Sequence, residues 1–352
     1  MQDRMGRTGA GRSGAGRSGA GAAGDILALV DHDRSKAGRS RRTPGGTPWV
    51  ATFSIVAADP GAQVWGIGVQ SKFLAVGAVV PWAEAGTGAV ATQAWANVAY
   101  GPDGLALLRQ GLPAEEVVGR LVEADPDRDH RQLGVVDAQG RAAAYTGKAC
   151  FEWAGHRVGD GYACQGNILA GPAVVDEMAR AYEAARDRGL PMEERLIEAL
   201  RAAQAAGGDR RGQQSAALLV VKPRGGYGGF NDRWLDLRVD DHLQPIEELD
   251  RLMRLHRLYF GTPDPSRQVP LEGPVVGEVQ RLLQAAGYYQ GPLTGVLDEP
   301  TRSALRTFQM NENFEERVVG DRVIDGDVLD YLRSLARRRA GEAPGAPAQP
   351  GA

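Results

Sequence analysis

The chain has 352 residues, 43% hydrophobic and 24% charged, with 48 Gly, 20 Pro and a formal net charge of −3. This length favours about two domains, and no apolar run reaches the ~18 residues of a membrane-spanning helix. Two cysteines, Cys150 and Cys164, and five scattered histidines exclude a disulfide framework and a zinc site made of Cys and His alone, so no metal is expected. Residues 1–48 hold nine Lys or Arg against four Asp, which leaves −8 for the rest of the chain. A mildly acidic body argues against nucleic acid as the main partner. GxxxxGK[ST] is absent from the sequence, which removes a phosphate-cradling loop, and no cofactor is expected.

The first fifty residues are rich in Gly, Ala, Ser and Arg, with the near-repeat GAGRSGAGRSGAGAAG. They lack the apolar content that would offset the entropy of folding, and a disordered basic tail is expected over 1–50. DILALV is too short an apolar core for a secretory signal, so a cytoplasmic location is expected.

TFSIVAAD and VWGIGVQSK alternate around the turn DPGAQ and predict a β-hairpin, and GTGAVATQAW predicts a third strand. Leu105, Leu108, Val117 and Leu121 predict helix between Pro102 and Ala124, broken at Gly111 to Pro113. QLGVVDAQGRAAAYTG predicts a second hairpin turning at Ala138 to Gly140, and GYACQGNIL another strand. Two long helices are predicted over Ala173–Arg188 and Met192–Ala206, ending at Gly207 and Gly208. SAALLVVK and RWLDLRVD then predict a strand pair, and IEELDRLMRLHRLYF an amphipathic helix with Ile246, Leu249, Leu252 and Leu255 on one side. This order predicts an α+β domain over 51–260, two antiparallel sheets covered by helices. A proline-rich linker is expected over 261–273, a small three-helix domain over 274–338, and a disordered tail over 339–352.

The residue with most chemical potential is Thr52, at the head of the first strand. If the bond before it is cut, one residue supplies both a hydroxyl nucleophile and an α-amine of pKa ~8 as its base. Lys72, at the end of the hairpin's second strand, is placed to hold down the pKa of that amine. Gln93 and Asn97 flank a strand end, and Gln165, Gly166 and Asn167 interrupt an apolar one. Their amide and backbone N–H groups suit an oxyanion or a substrate carbonyl. In GGDRRGQQS, Asp209 can orient the amine or bind an ammonium, Arg210 or Arg211 can clamp a carboxylate, and Gln213 and Ser215 stand at the mouth of a strand. Cys150 and Cys164 are expected to be small buried hydrophobes. Asp240, Asp241 and His242 are expected to be an exposed strand end.

The blocks TFSIVAADPGAQVWGIGVQSKFLAVGAVVPWAEAGTGAVATQAWAN, YGPDGLALLRQGLPAEE, YACQGNILAGP, GGDRRGQQSAALLVV and NDRWLDLRVDDH resemble the domain-of-unknown-function family 1028, which is grouped with the N-terminal-nucleophile (Ntn) hydrolases. The resemblance spans Thr52 to about His256. It implies an αββα four-layer sandwich and hydrolysis of an amide bond, and a small or peptide-like substrate is expected. It also implies Thr52 as nucleophile; from the residue reading, Lys72, Asn97 and Asn167 are expected as catalytic helpers, and Gln93, Gln165, Asp209, Arg210 and Gln213 as substrate contacts. Fifty-one residues precede Thr52, so activity requires cleavage of the Ala51–Thr52 bond or a downstream start. An intact chain is the alternative, a non-catalytic ligand- or wall-binding protein on the same scaffold.

EVQRLLQAAGYYQGPLTGVLDEPTRSALRTFQ is similar to the peptidoglycan-binding-like repeat, with Asp298 or Thr301 capping its second helix and Leu305 and Phe308 filling its core. The resemblance implies a peptidoglycan fragment as a partner. No membrane partner is expected, and a homodimer is expected on base rate alone.

Overall fold

The computed structural model describes residues 52–341, so the tails expected over 1–50 and from 342 onward lie outside the described residues. The chain opens with the strands β1 (Thr52–Asp59), β2 (Val64–Ser71), β3 (Pro81–Glu84) and β4 (Gly88–Ala94) and the helices α1 (Tyr100–Arg109) and α2 (Ala114–Glu123). It continues through β5 (Arg131–Asp137), β6 (Ala142–Thr146), β7 (Gly155–Gly159) and β8 (Tyr162–Gly166) to the helical pair α3 (Ala173–Asp187) and α4 (Met192–Ala205). Strands β9 (Ser215–Val221) and β10 (Arg233–Val239) and helix α5 (Pro245–Phe260) complete the first region. Six strands form one sheet in the order β10-β9-β2-β1-β8-β7, and four form a second in the order β3-β4-β5-β6. Every pairing between neighbours is antiparallel. The α+β class with antiparallel sheets is the expected one.

Period-two alternation sends each strand's side chains into two different cores. Phe53, Ile55 and Ala57 of β1 join Leu196, Leu200 and Met178 beneath α3, α4 and α5. Val56 and Ala58 join Ile67, Val69, Ala89, Ala91 and Val136 in a core shared by the two sheets. On the far side of the smaller sheet, Val90, Leu133 and Val135 pack against Leu105, Leu108, Val117 and Leu121 of α1 and α2. Close approach of α4 to the large sheet depends on two glycines in β2. A Cβ on Gly66 would lie 2.8 Å from Leu196, and one on Gly68 3.2 Å from Leu200. With no side chain beneath them, Leu196 and Leu200 become fully buried, worth about 1.5–3 kcal/mol each.

Sequence patterns do not show β3 and β7. β3 has four residues, and β7 is the outermost strand of its sheet, with His156 and Val158 exposed between flanking glycines. Neither carries an apolar alternation, and each exists because a neighbouring strand offers unpaired backbone.

The C-terminal module holds α6 (Pro274–Ala285), α7 (Glu299–Asn311) and α8 (Gly326–Arg339), the three helices expected. Asp298 caps α7 by accepting from Thr301 N at 3.0 Å, and Phe308 fills the core with Phe314 and Leu332. The segment expected to be a linker instead contains β11 (Gln268–Pro270), paired with β12 (Val323–Asp325). Its prolines suit an edge strand, since Pro270 has no N–H to place in a ladder. Arg339, expected in the tail, is the last residue of α8. Leu255, Leu258 and Tyr259 of α5 pack in the module's core, and buried Arg317 donates to the Leu258 carbonyl at 2.8 Å and to Asp325 at 3.0 Å.

Candidate functional site

The core between the sheets is apolar at one end and polar at the other. In β2 the inward series runs Trp65, Ile67, Val69 and then Ser71; in β4 Ala89, Ala91 and then Gln93; in β9 Val221, Leu219, Ala217 and then Ser215. β1 ends its series with Ser54 and Thr52, β5 with Gln132, and β8 with Gln165. Register aligns these ends, since Thr52 lies opposite Ser71, Ser71 opposite Ser215, Ser54 opposite Gln165 and Gln93 opposite Gln132. All of these side chains are fully buried. Alternation that changes from apolar to polar at the same end of six strands is the local signature of this site.

Hydrogen bonds join the polar end into one network. Thr52 Oγ1 bonds Ser71 Oγ at 3.1 Å, and the Thr52 carbonyl accepts from Asn167 N at 3.0 Å and Gln93 Nε2 at 3.4 Å. Gln132 Nε2 donates to the carbonyls of Gly166 (2.8 Å) and Gly155 (3.2 Å) and to Thr146 Oγ1 (3.0 Å). A carbonyl cannot donate, so the Gln132 amide has only one orientation, and its Oε1 faces the other way. That oxygen accepts from Gln93 Nε2 at 2.8 Å and Asn167 Nδ2 at 2.9 Å, which orients both partners in turn. Gln93 Oε1 then accepts from Ser54 Oγ at 2.5 Å, and Gln165 Nε2 donates to Ser54 Oγ at 2.7 Å. Asn167 Oδ1 and Gln165 Oε1 are left buried with no protein partner among the described residues. Two backbone carbonyls thus set the polarity of a five-residue chain of side chains beside Thr52.

Of the nine residues singled out from sequence, Thr52, Gln93, Gln165 and Asn167 meet here. Asp209, Lys72 and Gln213 lie around the same strand ends. Asp209 is buried, and its carboxylate accepts from Lys72 N at 3.2 Å, from Arg211 N at 2.9 Å and from the Arg211 guanidinium at 2.8 Å. Lys72 itself is exposed, with Nζ 3.2 Å from the Gln213 carbonyl. Arg210 is exposed as well, and Arg211 rather than Arg210 pairs with Asp209. Gln132, Ser71 and Thr146 escape sequence reading because a polar residue at a strand end also suits an exposed terminus. Only the two-sheet register buries Gln132 and Ser71 and half-buries Thr146.

Asn97 is not brought to Thr52. It precedes α1, where its Oδ1 accepts from Ala99 N at 3.2 Å and its Nδ2 donates to Asp125 at 3.2 Å. Asp125 also accepts from Tyr100 OH at 2.8 Å and Arg131 Nε at 2.9 Å, beside a cleft of about 570 Å³ between α1 and α2. Burial opposes ionisation of Asp125, but Arg131, the Asp127 N–H, Tyr100 and Asn97 outweigh it and hold the carboxyl below the usual carboxylate range. A carboxyl with its folded-state pKa depressed stabilises the fold above its unfolded value of about 4, and loses that contribution as pH falls through the folded value. Asp125→Asn removes the buried partner of the Arg131 guanidinium, itself 9% exposed, and leaves only the half-exposed Asp127 at 3.6 Å, so it is expected to destabilise by about 3 kcal/mol at pH 7. Thermal melts from pH 7 to 2 check this, with the variant flatter than the parent below about pH 4.

The two cysteines and the end of β10 stand as expected. Cys150 and Cys164 are buried, and burial pushes the Cys150 thiol up to about 12 and the Cys164 thiol well above its ordinary value. Asp240, Asp241 and His242 are exposed after β10. Among the described residues no three His, Cys, Asp or Glu side chains come together as a metal site, and no helix is long and apolar enough to cross a membrane.

Two antiparallel sheets with a polar end around Thr52 define a class that comparison with known proteins makes specific. The model of a family of unknown function, DUF1028, matches residues 52–249, more than half of the chain, and the chain belongs to that family. A peptidoglycan-binding-like domain model matches residues 259–332, so the second match begins at Tyr259 in α5, within the region expected to belong to the first domain. Protein SPO2555 from Silicibacter pomeroyi, a crystal structure carrying the same family assignment, is similar at 31% identity and a TM-score of 0.54. The similarity covers 61% of this chain and 93% of that one. Comparison with curated proteins gave no match.

Proposed function

We propose that this chain is an amide hydrolase on an αββα Ntn-like sandwich, with Thr52 as nucleophile once its amino group is free, and with a C-terminal module that docks on peptidoglycan. One observation carries the reading. The family match begins at Thr52, whose hydroxyl stands at the polar end of the inter-sheet core with its carbonyl held by Asn167 and Gln93. In the proposed step, Thr52 Oγ attacks the substrate carbonyl carbon and its proton passes to the α-amine. That amine then protonates the leaving nitrogen, and water hydrolyses the ester that remains. The second N–H of the Asn167 amide, the one not given to Gln132, serves the developing oxyanion, Gln93 holds the Thr52 carbonyl, and Gln165 contacts the substrate. Asp209, a buried carboxylate at the same strand ends, is neutralised by Arg211 and braces the Lys72 N–H, while Lys72, Arg210 and Gln213 lie toward solvent, where a charged substrate end approaches. Asn97 is given no catalytic role because its amide serves Asp125.

A second reading has its own support. In the full chain Thr52 has no exposed surface, which fits an unprocessed binding protein. Intact mass and N-terminal sequencing of the purified full-length protein separate the two. A free Thr52 is the expected result, whereas folded protein that retains Ala51 rules out the N-terminal-nucleophile mechanism. The peptidoglycan-binding-like match favours a wall-facing place of action over the cytoplasmic one expected from the sequence.

A further inference from the structure

The loop from β9 to β10 displays Tyr227 (85% exposed) and Phe230 (91% exposed), and Phe260, at the end of α5, is 55% exposed beside them. Contiguous exposed aromatic surface is unfavourable in water and marks a contact surface. The loop is built rather than loose. Gly226 N donates to the Asn231 carbonyl at 3.0 Å and Gly229 N to the Gly226 carbonyl at 2.8 Å. Gly228 and Gly229 take φ of 64° and 75°, a region that favours glycine, and a Cβ on Gly226 would lie 1.7 Å from Asn231. Two of the rings are tied to their neighbours, and Phe230 is joined to Tyr227 through the turn, its N–H facing the Tyr227 carbonyl. Tyr227 meets Phe260 edge-on with centroids 6.5 Å apart, Phe260 lies 4.9 Å from His256, and His256 lies 4.7 Å from Trp234.

We infer that Tyr227, Phe230 and Phe260 form a stacking platform for the sugar rings of a peptidoglycan glycan strand. An aromatic face carries a negative quadrupole that attracts the slightly positive C–H groups on one face of a pyranose. Open, outward-facing rings suit a polymer, whereas a small molecule needs a concave pocket. Exposed Arg224, in the same loop, complements the carboxylates of the stem peptides borne on alternate amino sugars of such a strand. Phe260 lies inside the peptidoglycan-binding-like match, so the platform extends that module's surface onto the first domain. The inference rests on the peptidoglycan reading given above.

The test compares the full-length protein with the double variant Tyr227→Ser, Phe230→Ser in depletion assays on insoluble peptidoglycan sacculi, on chitin and on phosphatidylglycerol vesicles. Both side chains are exposed, so an unchanged melting temperature is the folding control. Parent binding to sacculi and chitin, weakened at least tenfold in the variant on both, is the expected result. Parent binding to sacculi that the variant retains overturns the platform but leaves the module's reading intact, as does binding to sacculi without chitin, which would place recognition on the stem peptide. A parent that binds neither polymer overturns the module's reading and the platform together. Vesicle binding lost in the variant, with sacculus binding kept, overturns it in favour of a membrane surface.

Discussion

Thr52→Ala is expected to abolish amide hydrolysis, with a loss of at least about 10³-fold, while the protein stays folded. Nucleophile and base reside on this one residue in the proposed mechanism, and alanine keeps the amine but removes the oxygen that forms the ester. Stability changes little by comparison. The substitution deletes one buried hydrogen bond to Ser71 and a methyl group, together about 1–2 kcal/mol, or a few degrees in Tm. Thr52→Ser, which keeps an oxygen at the same place, is expected to retain measurable turnover. Hydrolysis of a panel of aminoacyl and acyl anilides, monitored beside thermal melts, checks both variants against the parent. Turnover by the alanine variant at the parent's rate would transfer the chemistry to another hydroxyl, for which buried Ser54 is the neighbour to test.

Gln132→Glu is expected to destabilise the fold by about 3–5 kcal/mol at pH 7 and to make its stability depend on pH in the opposite sense to that of Asp125. The side chain is fully buried, and its Nε2 position faces two carbonyls and the Thr146 hydroxyl. A carboxylate there sets negative oxygen against negative oxygen with no solvent to separate them, so the folded state holds the proton and the pKa rises. A carboxyl raised on folding keeps its contribution below the unfolded value of about 4.3 and loses it as pH climbs through the folded value. Melting temperatures should therefore be near parental at pH 4 and fall steadily toward pH 8. Gln132→Met, which removes the donor and the acceptor together, is expected to destabilise at every pH without that slope. A Gln132→Glu variant as stable at pH 8 as the parent would show that the amide network is not oriented by Gln132.

Much of this architecture is visible in local pattern because local pattern is what alternation and helical spacing encode. The β1–β2 hairpin, the helical pair α3 and α4, and the Asp298 cap of α7 each depend on neighbours within a few residues, and each stands where expected. Boundaries that depend on distant partners differ. β11 becomes a strand because β12, more than fifty residues later, offers it a ladder, and the end of α5 joins the module's core because Phe314 stacks on Tyr259 at 5.5 Å. Asn97 shows the same limit within the site. A strand-end asparagine suits an oxyanion donor or a turn, and its bonds to Ala99 N and Asp125 commit it to the turn before α1.

Composition, periodicity and turn chemistry in the chain alone settled the α+β class, the order of most elements and a chemically capable threonine at the head of the first strand. Tertiary structure alone decided which polar strand ends face one another in a buried interior and which way each side-chain amide points. It also decided which arginine pairs with Asp209. Hydrogen-bond polarity and burial are properties of groups brought together from as many as 163 positions apart, as Thr52 and Ser215 are across β2, and no spacing rule within a single strand contains them.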